Sequence, residues 1–96
     1  MTRKEFNLKI FKHLSERKFF ENFFDGETCD EIYETLADCI QDFPDQRFGQ
    51  IMTNYIYPDY RQRTEHSLNQ IMDVLFYGID MDPFYEESED TFNRLV

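Results

Sequence analysis

The chain has 96 residues, 20 of them Asp or Glu against 10 Lys or Arg, for a formal charge of −10. One hydrophobic core is expected at this length, and the acidic balance argues against phosphate backbones or anionic lipid as direct partners, leaving a basic or neutral protein as the candidate. Eleven Phe and six Tyr are far too many large apolar groups for a disordered acidic tail, so the chain is expected to fold.

The uncharged stretch 48–58 is broken by Gly, Gln, Thr and Asn, and it falls short of the roughly 20 apolar residues a membrane-spanning helix needs. Arg3, Lys4, Glu5, Asn7, Lys9 and Lys12 interrupt anything resembling the apolar core of a secretory signal. Neither a membrane partner nor secretion is expected. Cys29 and Cys39 fall on one expected helix, about 15 Å apart along its axis, too far to bridge. Two unpaired thiols fit a reducing cytosol.

Glycine and proline are few, and alternating β-branched runs are absent, so the chain reads as a single all-α domain over 1–96, a compact bundle of four to five short helices. Thr2 to Glu5 fits a capping box, and Phe6, Ile10, Phe11 and Leu14 follow the helical period after it. The dense set Phe19, Phe20, Phe23 and Phe24 closes this first segment, with Ser15 as a kink point and Gly26 as the C-terminal stop. Thr28 and Glu31 repeat the capping box ahead of Ile32, Leu36, Cys39, Ile40 and Phe43, a second helix ending at Pro44.

Phe48, Ile51, Met52, Tyr55 and Ile56 make a third amphipathic stripe, which Pro58 should end within a residue or two. After the polar stretch 59–67, Leu68, Ile71, Met72, Leu75, Phe76 and Ile79 make a fourth, with Gly78 at its exit. Asp82-Pro83 suits a turn or a first helical residue, and Ser88 is the expected cap of a short last helix carrying Phe92 and Leu95. Gly49, costly by up to about 1 kcal/mol inside a helix, reads as a crossing point contacted by Phe84 or Tyr85. Arg47 should clamp a carboxylate of the 86–90 run.

Specific catalytic signatures are missing. Asp80-x-Asp82 would begin a calcium loop, yet the slots that follow fall on Phe84, Tyr85 and Thr91, which disqualifies it. Cys29, Cys39, His13 and His66 lack zinc-ligand spacing, and no nucleophile elbow or glycine-rich phosphate loop occurs. The expectation is therefore a non-enzymatic protein without metal or cofactor.

Charge is unevenly spread. Residues 1–24 carry Arg3, Lys4, Lys9, Lys12, Arg17 and Lys18 against three acids, whereas Asp80, Asp82, Glu86, Glu87, Glu89 and Asp90 crowd the C-terminal region. Carboxylates three or four positions apart on a helix stand about 5–6 Å from each other, close enough to imitate phosphates before a basic groove. An ordinary solvated face gives the same pattern. The docking reading assigns partner binding to Asp80, Asp82, Phe84, Tyr85, Glu86, Glu87, Glu89 and Asp90, and the partner is a larger protein with a basic surface, such as a nuclease or another nucleic-acid-binding effector. The alternative is a homo-oligomeric or adaptor subunit that self-associates through its aromatic surplus.

Arg47-Phe48-Gly49-Gln50, preceded by Pro44-Asp45, together with Asp82-Pro83-Phe84-Tyr85-Glu86, resembles a pattern of small uncharacterised proteins of bacteria, phages and mobile elements, over about residues 44 to 92. The resemblance implies a helix bearing the first motif paired with the second segment, and it supplies no catalytic residue. In size and acidity the chain also resembles anti-CRISPR and related counter-defence proteins of phages, many of them single cytosolic domains that block a nucleic-acid channel.

Overall fold

Thr2 caps the first helix as its sequence implies. In this computed structural model, which describes residues 1–60 and 68–96, its hydroxyl accepts from the Glu5 N–H while the Glu5 carboxylate accepts from the Thr2 N–H, each at 3.2 Å. Helix α1 (Arg3–Glu16) buries Asn7, Ile10 and Leu14. It stops earlier than the phenylalanine pattern suggests, because Lys18 takes a left-handed conformation (φ 52°) and turns the chain. Phe19–Asn22 then form a 3₁₀ turn with Phe20 fully buried.

Gly26 is the first residue of helix α2 (Gly26–Asp42) and not the terminator of α1. The cap is Asp25, whose carboxylate accepts from the Thr28 N–H at 2.8 Å and from the Thr28 hydroxyl at 3.2 Å. Thr28 thus serves the cap from inside the helix instead of being the cap. Cys29, Ile32, Leu36, Cys39 and Ile40 form the buried stripe of α2.

Helix α3 covers residues 48–60 in three registers: Phe48–Ile51 is α-helical, Met52–Ile56 is a π turn and Tyr57–Tyr60 is α-helical again. Helical structure therefore reaches two residues past Pro58. A proline lacks the N–H and clashes with the carbonyl four residues back in a regular helix, and the widened register ahead of Pro58 eases that clash. Within the π turn the Tyr57 N–H donates to the Met52 carbonyl. In the same register Thr53 would need an N–H on residue 58, which proline does not have.

Helix α4 (Leu68–Leu75) buries Ile71 and Leu75 and exits at Gly78, whose φ of 80° is a conformation glycine adopts without strain. Asp82 caps a 3₁₀ turn, Pro83–Tyr85, with Pro83 at its first position as expected. Helix α5 (Ser88–Leu95) follows, but Ser88 does not cap it. Glu87 stands at that position, and the fully buried Ser88 hydroxyl accepts from the Phe48 N–H at 3.1 Å, so it satisfies the start of α3. The 61–67 stretch, with His66, lies outside the described residues.

No strand occurs among the described residues, and the chain is a small all-α bundle. Helix α1 packs against both α2 and α5, and the start of α3 lies on the Pro83–Tyr85 turn. Gly49 makes that crossing: a β-carbon there would run into the Pro83 carbonyl group, with its carbon at 2.7 Å. The close partner is backbone and not the rings of Phe84 or Tyr85. Asn7, buried in the seam, donates to the Gln46 carbonyl at 2.9 Å and ties α1 to the loop ahead of α3. Among the described residues no helix is long and apolar enough to cross a membrane.

Candidate docking surfaces

The C-terminal acidic run divides into two groups. Glu86 is buried, 6% exposed, and Arg94 grips it through Nη2 at 2.8 Å and Nε at 3.3 Å while the Thr91 hydroxyl donates to it at 2.5 Å. Glu87 accepts from Arg3 Nη2 at 2.8 Å and Nε at 3.0 Å, and from Arg47 Nε at 2.8 Å. The hydrogen bonds from Arg3 and then Arg47 hold the Glu87 carboxyl below the usual glutamate range. Arg47 is thus the clamp its sequence context suggests. Glu86 is buried and committed to Arg94, whereas Glu87 is half-exposed and has its charge offset by Arg3 and Arg47. Asp80, Asp82, Glu89 and Asp90 are exposed, with Asp82 accepting from the Phe84 N–H at 2.9 Å. Tyr85 is 63% exposed, whereas Phe84 is half-buried against it, edge to face at 5.2 Å.

A denser negative surface lies on α2. Glu27, Asp30, Glu34, Asp38 and Asp42 recur at steps of three or four residues with Glu31 beside Asp30, and all six are exposed, opposite the buried Ile32, Leu36, Cys39 and Ile40. Six carboxylates over about 22 Å of axis make roughly one charge per 4 Å, near the ~3.4 Å per phosphate along one nucleic-acid strand. Between Lys18 and Arg47 the sequence has no Lys, Arg or His. Among the described residues no ion pair reaches Glu27, Asp30, Glu34, Asp38 or Asp42. The arrangement opposes helix stability: Asp30/Glu34, Glu34/Asp38 and Asp38/Asp42 are like charges four apart, each unfavourable by about 0.2–0.5 kcal/mol. Asp38 and Asp42 also crowd the negative end of the helix dipole, and the last turn has no base to offset them.

Described residues line two clefts beside this scaffold. One, of about 250 Å³, is lined by Lys9, Lys12, His13, Glu16, Phe92 and Val96. Its cations already have neighbours: Lys9 sits 5.6 Å from the Phe92 ring centroid, and Lys12 pairs with Glu16 at 3.9 Å. The other, of about 350 Å³, opens between the π turn of α3, helix α4 and the start of the second 3₁₀ turn, and is lined by Thr53, Tyr57, Met72, Asp73, Asp82 and Pro83. Val74, Tyr77 and Met81, close in sequence to that wall, are each more than half exposed.

The thiols offer little chemistry. Cys29 and Cys39 are buried and free, and burial pushes Cys29 up to about 11 and raises Cys39 as well, so neither is a thiolate at neutral pH. Among the described residues no group of three or more His, Cys, Asp or Glu could hold a metal ion. Compared with known proteins, the chain matches no family model, no curated protein and no solved structure.

The α2 stripe is the surface that a linear count of charges passes over. Its acids are spaced among core residues, so they look sparser along the chain than the 80–90 run, and only the helical period gathers them on one side. The readable signal is the absence of any base from 19 to 46.

Proposed function

We propose that this chain is a non-enzymatic binding module that lays the outer face of α2 in a basic groove of a larger nucleic-acid-handling protein in the cytoplasm, taking the place of a nucleic-acid strand. In this reading it is an inhibitor of the phage counter-defence, anti-CRISPR kind. The observation that carries it is the α2 stripe: Glu27, Asp30, Glu34, Asp38 and Asp42 stand exposed at near-phosphate density without a base on their helix. A fold under no demand from a partner gains by breaking such a run with lysine, since each i,i+4 repulsion removed stabilises the helix. Asp80, Asp82, Glu89 and Asp90 add to the negative field and speed encounter with a cationic surface.

The test uses immobilised protein, a bacterial lysate, and elution with a single-stranded oligonucleotide at low salt. Nucleic-acid-binding proteins should be retained and released by the oligonucleotide, and a variant with Glu27→Gln, Asp30→Asn, Glu34→Gln, Asp38→Asn and Asp42→Asn should retain none of them. Equal retention by both proteins, or an oligonucleotide without effect, overturns the proposal.

A second reading has its own support. Val74, Tyr77, Met81 and Tyr85 leave a large amount of apolar surface in water, Tyr77 being 82% exposed, and such surface suits self-association. Sedimentation at micromolar concentration decides it: a homo-oligomer dissociated by Tyr77→Ser or Tyr85→Ser makes the chain a structural subunit.

A further inference from the structure

We propose that the cleft between α3 and α4 is a receptor for one arginine side chain of a partner protein, a contact separate from the α2 stripe and independent of whether α2 enters a nucleic-acid-binding groove. At about 350 Å³ the cleft lies near the lower limit of small-molecule pockets, which span about 300–1,000 Å³, so it suits a side chain better than a cofactor. Its walls combine the two properties that an arginine needs. Met72, Pro83 and the Tyr57 ring are apolar surfaces for the aliphatic stem and the flat guanidinium face. Asp73 and Asp82 supply carboxylates, Asp80 lies exposed nearby in sequence, and among the described residues no cation lines the cleft.

Thr53 belongs to the cleft wall and to the π turn, and the N–H that its carbonyl would use in that register is missing because residue 58 is proline. The Tyr57 N–H is already given to Met52. Acceptors on an apolar floor suit a donor-only cation, and guanidinium offers five N–H groups in a plane and remains charged at any accessible pH. Asp82 is held in place by the Phe84 N–H, while Asp73 makes no hydrogen bond or ion pair among the described residues and is free to turn toward a guest. The exposed Val74, Tyr77 and Met81 would meet apolar residues beside the inserted arginine.

The probe is a blocked tripeptide with one arginine between two leucines, titrated into the labelled protein at about 50 mM salt and followed by amide shifts, since exposed charges are screened over about 10 Å already at 0.1 M. Shifts should concentrate on Thr53, Tyr57, Met72, Asp73 and Asp82. Asp73→Asn, at an exposed position that leaves the fold intact, should weaken binding about fivefold, and Thr53→Trp, which fills the cleft, should abolish it. Equal binding of a norleucine peptide, unchanged affinity in Asp73→Asn, or shifts confined to α2 would each overturn the proposal. So would broadening of the same resonances with protein concentration in the absence of peptide, because a second copy of the chain would then be the occupant.

Discussion

Arg47 and Glu87 stand 40 positions apart and meet at 2.8 Å, joining the first residue before α3 to the last residue before α5. Arg3 completes the cluster from the start of α1. The carboxylate is about half exposed, so its loss is discounted toward the surface-pair range, and Glu87→Gln should cost about 1 kcal/mol at pH 7. A glutamate whose pKa is depressed on folding stabilises the native state above its unfolded pKa, and this contribution fades as pH falls through the lower folded value. In urea melts at pH 7 and pH 3, wild type and variant should therefore differ at pH 7, and the difference should narrow at pH 3. A gap that persists undiminished at acid pH removes the ion cluster as its cause.

Gly49 inverts the usual rule for helices. Alanine at an exposed helix interior position gains up to about 1 kcal/mol over glycine, yet here the added β-carbon meets the Pro83 backbone, which cannot rotate aside. Gly49→Ala should lower unfolding free energy by about 2 kcal/mol or more. A stabilised variant would mean that α3 and the Pro83–Tyr85 turn do not cross there.

Ser88→Ala leaves the Phe48 N–H buried without an acceptor, at a cost of about 1–3 kcal/mol. Hydrogen exchange at the Phe48 amide should accelerate with the loss of stability. Unchanged exchange would show that water or another group satisfies that donor.

Removing charge from α2 should stabilise the protein while weakening it as a ligand. Glu34→Gln with Asp38→Asn relieves three like-charge pairs, each worth about 0.2–0.5 kcal/mol, and the melting temperature should rise at low salt. At 1 M salt, where screening acts over about 3 Å, the gain should vanish. A variant less stable than wild type at low salt would mean that these acids have stabilising partners in the fold.

Iodoacetamide should leave Cys29 and Cys39 unmodified in native protein at pH 7.5 and alkylate both in urea, because burial keeps each thiol protonated and covered. Rapid native labelling of either one would place it at the surface.

The helices were legible because each buries a stripe at the 3.6-residue period, and Ile32, Leu36 and Ile40 or Phe48, Ile51 and Met52 can face one core in only one way. What could not be read were choices between equivalent polar groups. Asp25 and Thr28 both qualify as caps, and Asp25 prevails because Lys18 and the 3₁₀ turn bring the chain into α2 earlier. Ser88 looks like a local cap, yet its acceptor is taken by an N–H 40 positions away. Glu86 is withdrawn from the surface by Arg94, eight positions on, and Glu87 is neutralised by arginines 40 and 84 positions away: which carboxylate of an acidic run finds an arginine depends on tertiary approach, which a count of charges does not encode. Gly49 could be read because a helix tolerates glycine poorly without a close neighbour.

The placement of α1 between α2 and α5 constrains how the molecule is made. On the ribosome α1 and α2 emerge early and can pair, but the other flank of α1, with Arg3 and the Asn7 seam, stays uncovered until Glu87 and α5 leave the exit tunnel. Native closure therefore waits until α5 has been made, and a chain halted before residue 87 would leave the flank of α1 that α5 covers open to water.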